Sequence, residues 1–216
     1  HVRVWTKAAE VAAKRAAAAT PAEKAQKREA TRAALADVAL LVTTFNENRE
    51  ERGGSPEREA MYKARVRWWL EHSSLDMYVV DSAGRCFPDL LPGKSKDKSG
   101  RVLECFGFDQ EADPSYIARV RDGACVATAG NRCPLSSSFT EALAVNKTFE
   151  AFPELATRRL VLKLTGKYVL PGLETALMQI KNGTVAVVQS QHAHFGRWQN
   201  TELWGMRGDL VKSCIE

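Results

Sequence analysis

Leu160-Val-Leu-Lys-Leu-Thr-Gly-Lys-Tyr-Val-Leu170 opens as an apolar, β-branched run and ends in Thr165-Gly166-Lys167-Tyr168. The run predicts a buried strand that delivers a hydroxyl, a glycine, a cation and an aromatic ring to one point. A glycine there lets a ligand approach the backbone closely, and a lysine beside it can hold phosphate as a point charge. Diphosphate binding is one consequence. A core strand whose turn carries an exposed lysine is the other, and the motif alone leaves both open.

Working outward, Val38-Ala-Leu-Leu-Val-Thr-Thr-Phe45 is a second continuous apolar run, and Asp76-Met-Tyr-Val-Val-Asp81 a third. Arg101-Val-Leu-Glu-Cys-Phe-Gly-Phe108 and Thr184-Val-Ala-Val-Val-Gln189 complete five predicted strands. Ser55-Pro56-Glu57 starts a helix running to about Glu71, Ala142–Pro153 reads as a second, and Gly172–Lys181 as a third. Asp89–Gly100 reads as a loop. Strands alternating with helices specify an α/β fold: a Rossmann-like, mostly parallel sheet with helices on both faces. Ligands of such sheets sit beyond the carboxyl ends of the strands. Thr43, Thr44 and Asn46 end the first strand, Asp81 and Ser82 the second, and Asp109 and Gln110 the third.

The 216 residues are 44% hydrophobic and 26% charged, which suits one globular core with an appendage. Residues 1–35 carry eight Lys/Arg and three Asp/Glu, a surplus of five; the remaining 23 basic and 23 acidic residues balance. The basic character therefore belongs to a leading arm, and no nucleic-acid partner is expected of the domain over residues 36–216. Thr20-Pro-Ala-Glu23 divides the Ala-rich arm into helices over about 5–19 and 21–35. No segment reaches the roughly 18 apolar residues of a membrane span. The chain begins at His1, so a removed signal or anchor stays an open expectation.

Cys86, Cys105, Cys125, Cys133 and Cys214 show no CxxC spacing, which disfavours a zinc site. The sequons Asn146-Lys-Thr148 and Asn182-Gly-Thr184 tilt the reading towards a secretory lumen, with Cys125 and Cys133 as the nearest local pair. GxGxxG, GxxxxGK[ST] and GxSxG are all missing from the sequence, which disfavours dinucleotide folds, P-loop enzymes and α/β-hydrolases. His192 and His194 would share one side of an extended segment, but two ligands do not make a metal site. The run Gln189–Gly205 gathers these histidines with Trp198, Gln199, Glu202 and Trp204. Aromatic faces and amide edges suit sugars; packing of both tryptophans onto the core is the equal alternative.

Four pieces resemble nucleotide-sugar glycosyltransferases of GT-A-like fold: Val38–Phe45, Tyr78-Val-Val-Asp-Ser-Ala-Gly84, Lys163-Leu-Thr-Gly-Lys-Tyr168 and Trp198–Gly205. The third resembles a K-[LI]-[TS]-G-[RK]-Y signature and is the most specific. The resemblance implies donor binding by Thr44, Asn46, Asp81, Ser82, Lys163, Thr165, Lys167 and Tyr168. It implies acceptor binding by His192, His194, Trp198 and Gln199. Glu202, or else Glu141, would take the acceptor proton. Glu202 is preferred because it lies in the polar, aromatic segment; its plainer role is an ion pair with Arg197 or Arg207.

The family's Asp-x-Asp metal motif is missing from the sequence, so Lys167 is expected to replace the metal's charge. Asp109 and Glu111 are the fallback ligands for Mn²⁺ or Mg²⁺. The expected activity is transfer of a sugar from a nucleotide-sugar donor to a glycan or protein-linked acceptor, in a secretory lumen such as the Golgi. Another α/β nucleotide-binding enzyme, or an interaction protein working through the basic arm, is the alternative.

Overall fold

A computed structural model describes residues 20–45, 55–91, 95–123, 137–181, 183–188 and 203–215. Seven strands form one mixed sheet: β1 (Val38–Thr44), β2 (Asp76–Asp81), β3 (Ser95–Lys96), β4 (Val102–Gly107), β5 (Leu160–Thr165), β6 (Ala186–Val188) and β7 (Leu203–Met206). Their order across the sheet is β3-β4-β2-β1-β5-β7-β6. The four central strands, β4, β2, β1 and β5, are parallel. β3 runs antiparallel to β4, and β7 runs antiparallel to both β5 and β6.

The described helices are α1 (Pro21–Ala34), α2 (Pro56–His72), α3 (Pro114–Arg121), α4 (Ser137–Ala151), α5 (Leu173–Leu177) and α6 (Gly208–Ile215). Their starts follow local chemistry. Thr20 and Glu23 form a reciprocal capping box ahead of α1, with Pro21 at the first helical position. Ser55 accepts from the Arg58 N–H ahead of α2, and Asp113 from the Ser115 N–H ahead of α3.

Two cores sandwich the sheet. On one face, Leu40, Val42, Met77, Val79, Leu162 and Leu164 pack with Tyr62, Val66 and Trp69 of α2. On the other, Ala39, Leu41, Tyr78, Val80 and Val161 meet Ala144, Val145 and Phe149 of α4 and Val211 of α6. Burial on both faces explains why β1, β2 and β5 read as continuous apolar runs. The expected strands and the α/β class stand.

Several details differ. The segment read as a loop over Asp89–Gly100 holds β3, and the aromatic C-terminal run holds β7. The helix expected over Gly172–Lys181 is confined to Leu173–Leu177. α3 had no counterpart in the sequence reading. The helix expected over residues 5–19 lies outside the described residues. α1 is largely exposed, yet Arg28 donates to the Ser73 carbonyl at 2.7 Å and to the Leu70 carbonyl at 3.4 Å, tying the helix to the end of α2.

Cys86 and Cys105 form a disulfide with Cα atoms 5.9 Å apart. Cys125 and Cys133 lie outside the described residues. The Asn146 sequon falls within α4, where Thr148 is fully buried and donates to the Ala144 carbonyl at 2.7 Å. It does not present the surface loop that a glycan acceptor requires. Asn182 is outside the described residues.

Candidate functional site

From β1 the chain passes through α2 to β2 and on to β4. It then returns through α4 to β5 on the other flank of β1. The two connections place β2 and β5 on opposite flanks of β1, and their helices cover opposite faces of the sheet. The topological switch point therefore lies between the carboxyl ends of β1 and β5, where open α/β sheets bind their ligands. Thr43 and Thr165 face each other across it in register.

A polar cluster fills this point. Lys163 is 0% exposed, and its ammonium donates to Glu141 Oε1 and to Thr165 Oγ1, the latter at 3.1 Å. Thr165 Oγ1 donates to the same Glu141 oxygen at 3.2 Å, and Thr43 Oγ1 lies 3.5 Å from it. Glu141, in the second turn of α4, keeps 22% of its side chain exposed. A charge buried in an apolar strand is tolerated only with such a partner. Lys163 was expected to face phosphates; it instead closes onto the carboxylate expected to act as a base. The lysine in the middle of an apolar run was the signal for this pair.

The neighbouring rim is also internally satisfied. Asp81 is fully buried. Its Oδ2 accepts from Thr44 Oγ1 at 2.7 Å, and its Oδ1 accepts from the Ala83 and Arg85 N–H groups at 3.1 Å each. Ser82 donates through both N–H and hydroxyl to the Thr44 carbonyl, at 3.1 and 3.2 Å. Thr44, Asp81 and Ser82 thus fix the β1–β2 rim and the turn after it.

Gly166 belongs to the same packing. Its N–H donates to the Thr43 carbonyl at 2.8 Å. A Cβ there would lie 2.6 Å from Thr44 Cγ2 and 3.2 Å from Tyr62 Cδ1. The glycine allows two strand ends and a helix to meet. The space that the sequence reading gave to a ligand is occupied by Thr44 and Tyr62.

The next two residues emerge. Lys167 is exposed and forms no ion pair or hydrogen bond among the described residues. Tyr168 is 39% exposed, and its carbonyl accepts from Trp69 Nε1 at 3.2 Å, anchoring the turn to α2. Asp109 and Glu111 are exposed beyond β4. Asp109 Oδ1 accepts from the Glu111 N–H at 3.0 Å, and Asp109 pairs with Ala83 of the turn after β2. Among the described residues no group of three His, Cys, Asp or Glu side chains could hold a metal ion.

Asn46, His192, His194, Trp198, Gln199 and Glu202 lie outside the described residues. Thr43 and Tyr62 are the members of the site that the sequence reading left unassigned. Among the described residues no helix is long and apolar enough to cross a membrane. Compared with protein-family models, curated protein sequences and solved structures, the chain matches none.

Proposed function

We propose that the chain is a glycosyltransferase that moves a sugar from a nucleotide-sugar donor to a glycan or protein-linked acceptor. One observation carries this reading: the switch point of the sheet falls on the segment Lys163–Tyr168, whose sequence resembles a glycosyltransferase signature. The order of the parallel strands supports a GT-A-like fold. Lys167, exposed just past the crevice, holds the donor diphosphate and stabilises the charge that develops on it as the sugar leaves. Thr44, Asp81 and Ser82 hold the rim against which the nucleotide lies, and Tyr168 flanks it. Glu141 and Glu202 are the carboxylates available to take the acceptor's proton. His192, His194, Trp198 and Gln199 form the acceptor side.

The reading needs no metal, with Asp109 and Glu111 as the ligands to examine if Mn²⁺ or Mg²⁺ proves necessary. The Cys86–Cys105 bond supports residence in an oxidising lumen such as the Golgi.

The test is calorimetric titration of the full chain with UDP- and GDP-sugars, with and without Mn²⁺. Saturable binding of at least one nucleotide sugar, retained in chelator, is the expected result. Heats no larger than those of plain salts for every donor would overturn the assignment.

A further inference from the structure

Two arginines reach the same pair of carbonyls at the end of α2. Arg101, 2% exposed, donates to the Ser73 carbonyl and, through Nη2 at 2.9 Å, to the Leu70 carbonyl. Arg28 of α1 donates through Nη2 to the same two, at 2.7 and 3.4 Å. A third guanidinium, Arg32, stands one helical turn further along α1. Its Nη2 would lie 3.3 Å from a Cβ on Gly100, whose φ of 79° turns the chain into Arg101. Lys98 is exposed in the same turn.

Two carboxylates stand beside these four cations, and both are engaged. Asp97 accepts from Arg101 Nε at 3.0 Å and from the Ser99 and Arg101 N–H groups at 2.8 and 3.1 Å. Glu174 accepts from the hydroxyls of Ser73 and Ser74 at 2.8 Å each. Arg28, Arg32 and Lys98 form no ion pair among the described residues.

We propose that Arg28, Arg32 and Lys98, gathered around the buried Arg101, bind a phosphate monoester. The site lies at the amino end of the sheet, away from the switch point at its carboxyl end, and is independent of the glycosyltransferase reading. Arg101 by itself already bonds the α2 carbonyls, so capping does not account for Arg28. Arg28 keeps its Nε and Nη1 donors, and Arg32 its whole fork, for the oxygens of an anion. Guanidinium forks match phosphate oxygens in pairs. Like charges four residues apart on a helix repel. Burial holds the Arg101 guanidinium below its ordinary value, and the Arg28 charge acts in the same direction against the pull of Asp97. A bound dianion relieves this repulsion and bridges α1 to the turn between β3 and β4. A phosphate monoester carries a charge of roughly −1.5 to −2 at neutral pH, which suits the cationic surplus better than the single charge of a sulfate monoester.

The experiment is calorimetric titration of the full chain with methyl phosphate at constant ionic strength. Wild type is compared with Arg32→Gln, Arg28→Gln with Arg32→Gln, and Lys167→Ala. Wild type should bind saturably, and methyl sulfate should bind about tenfold more weakly or worse. Each arginine replaced should weaken methyl phosphate by about tenfold or more, while Lys167→Ala keeps the wild-type affinity. Methyl phosphate should also raise the melting temperature of wild type and not of the double variant. If the double variant does not fold, Arg32→Gln decides, because Arg32 gives up no hydrogen bond among the described residues. Phosphatidylcholine vesicles with and without phosphatidic acid separate the sources of the ester. Sedimentation with the phosphatidic acid vesicles alone, lost in Arg32→Gln, assigns it to a lipid headgroup; no sedimentation with either assigns it to a soluble ester. Heats of methyl phosphate no larger than those of sodium chloride would overturn the proposal. So would equal binding of methyl sulfate, unchanged affinity in Arg32→Gln, or loss of binding in Lys167→Ala instead. None of these outcomes bears on nucleotide-sugar binding, which the donor titration tests separately.

Discussion

A methyl group placed on Gly166 would lie 2.6 Å from the Thr44 methyl and 3.0 Å from the Thr43 carbonyl oxygen. The ends of β5 and β1 therefore meet at a spacing that only glycine allows. Gly166→Ala should destabilise the protein by about 1–3 kcal/mol, the range for overpacking a tight site. That outweighs the ~0.4–1 kcal/mol that alanine gains by stiffening the unfolded chain. Thr44→Ser removes the nearest clashing atom while keeping the hydroxyl bonded to Asp81. The double variant should recover part of the loss in urea melts. Equal stability of Gly166→Ala and wild type would show that the strand ends separate freely.

The Cys86–Cys105 bond ties the turn after β2 to β4. Breaking a loop of this length costs about 3 kcal/mol in the chain-entropy model. Cys86→Ser with Cys105→Ser should lower the urea midpoint, and dithiothreitol should do the same to wild type. Alkylation before reduction should leave both cysteines unmodified. Labelling of all five thiols in the native, unreduced protein would contradict the pairing and remove a support for a lumenal location.

The central strands were legible because parallel strands covered on both faces read as unbroken apolar runs. The same property hid the site. With no alternation in Val38–Thr44, the sequence does not tell which of Thr43 and Thr44 faces α2 and which faces α4. Thr44 turned out to bond Asp81, and Thr43 to join Glu141. Lys163 announced a buried charge, but its partner lies 22 residues earlier, on a helix whose docking follows from the crossover. The Cys86–Cys105 pair likewise depends on β4 lying beside β2, where Cys105 sits opposite Val79. β7 is four residues long and reaches the sheet only through long-range pairing with β5. A Cβ on Gly205 would lie 2.6 Å from Leu162 Cδ2, so a larger residue there would make Leu162 shift, a constraint invisible without the neighbouring strand.

At the opposite end of the sheet, Tyr78 is fully buried and its hydroxyl accepts from Arg158 at 3.3 Å. Burial pushes the Tyr78 phenol up to about 12, with Arg158 pulling in the other direction. The sign follows directly. Between the ordinary tyrosine value near 10 and about 12, the unfolded chain releases this proton and the folded chain keeps it. Stability from this group is complete below pH ~10 and falls as pH rises, by about 1.4 kcal/mol per unit for one proton. Wild type should therefore lose more stability between pH 10 and 12 than Tyr78→Phe, although the variant starts lower for want of the Arg158 contact. Parallel curves for the two proteins in alkaline urea melts would count against it.

Lys167 is an exposed cation two residues beyond the end of β5, the strand that borders the switch point. If it grips a donor diphosphate, its loss removes a charge-assisted contact worth roughly 1.5–3 kcal/mol. Lys167→Ala should weaken nucleotide-sugar binding or turnover by about ten-fold to over a hundred-fold. The melting temperature should barely move, because an exposed side chain without an ion pair among the described residues supports little of the fold. Lys167→Arg should retain much of the affinity, since either cation presents donors to phosphate oxygens. Raising the salt should weaken wild-type binding more than that of Lys167→Ala, because an exposed charge is screened. Unchanged donor affinity in Lys167→Ala, together with loss of binding in chelator, would transfer the phosphate grip to a metal. Asp109 and Glu111, beyond β4, would then be the side chains to replace.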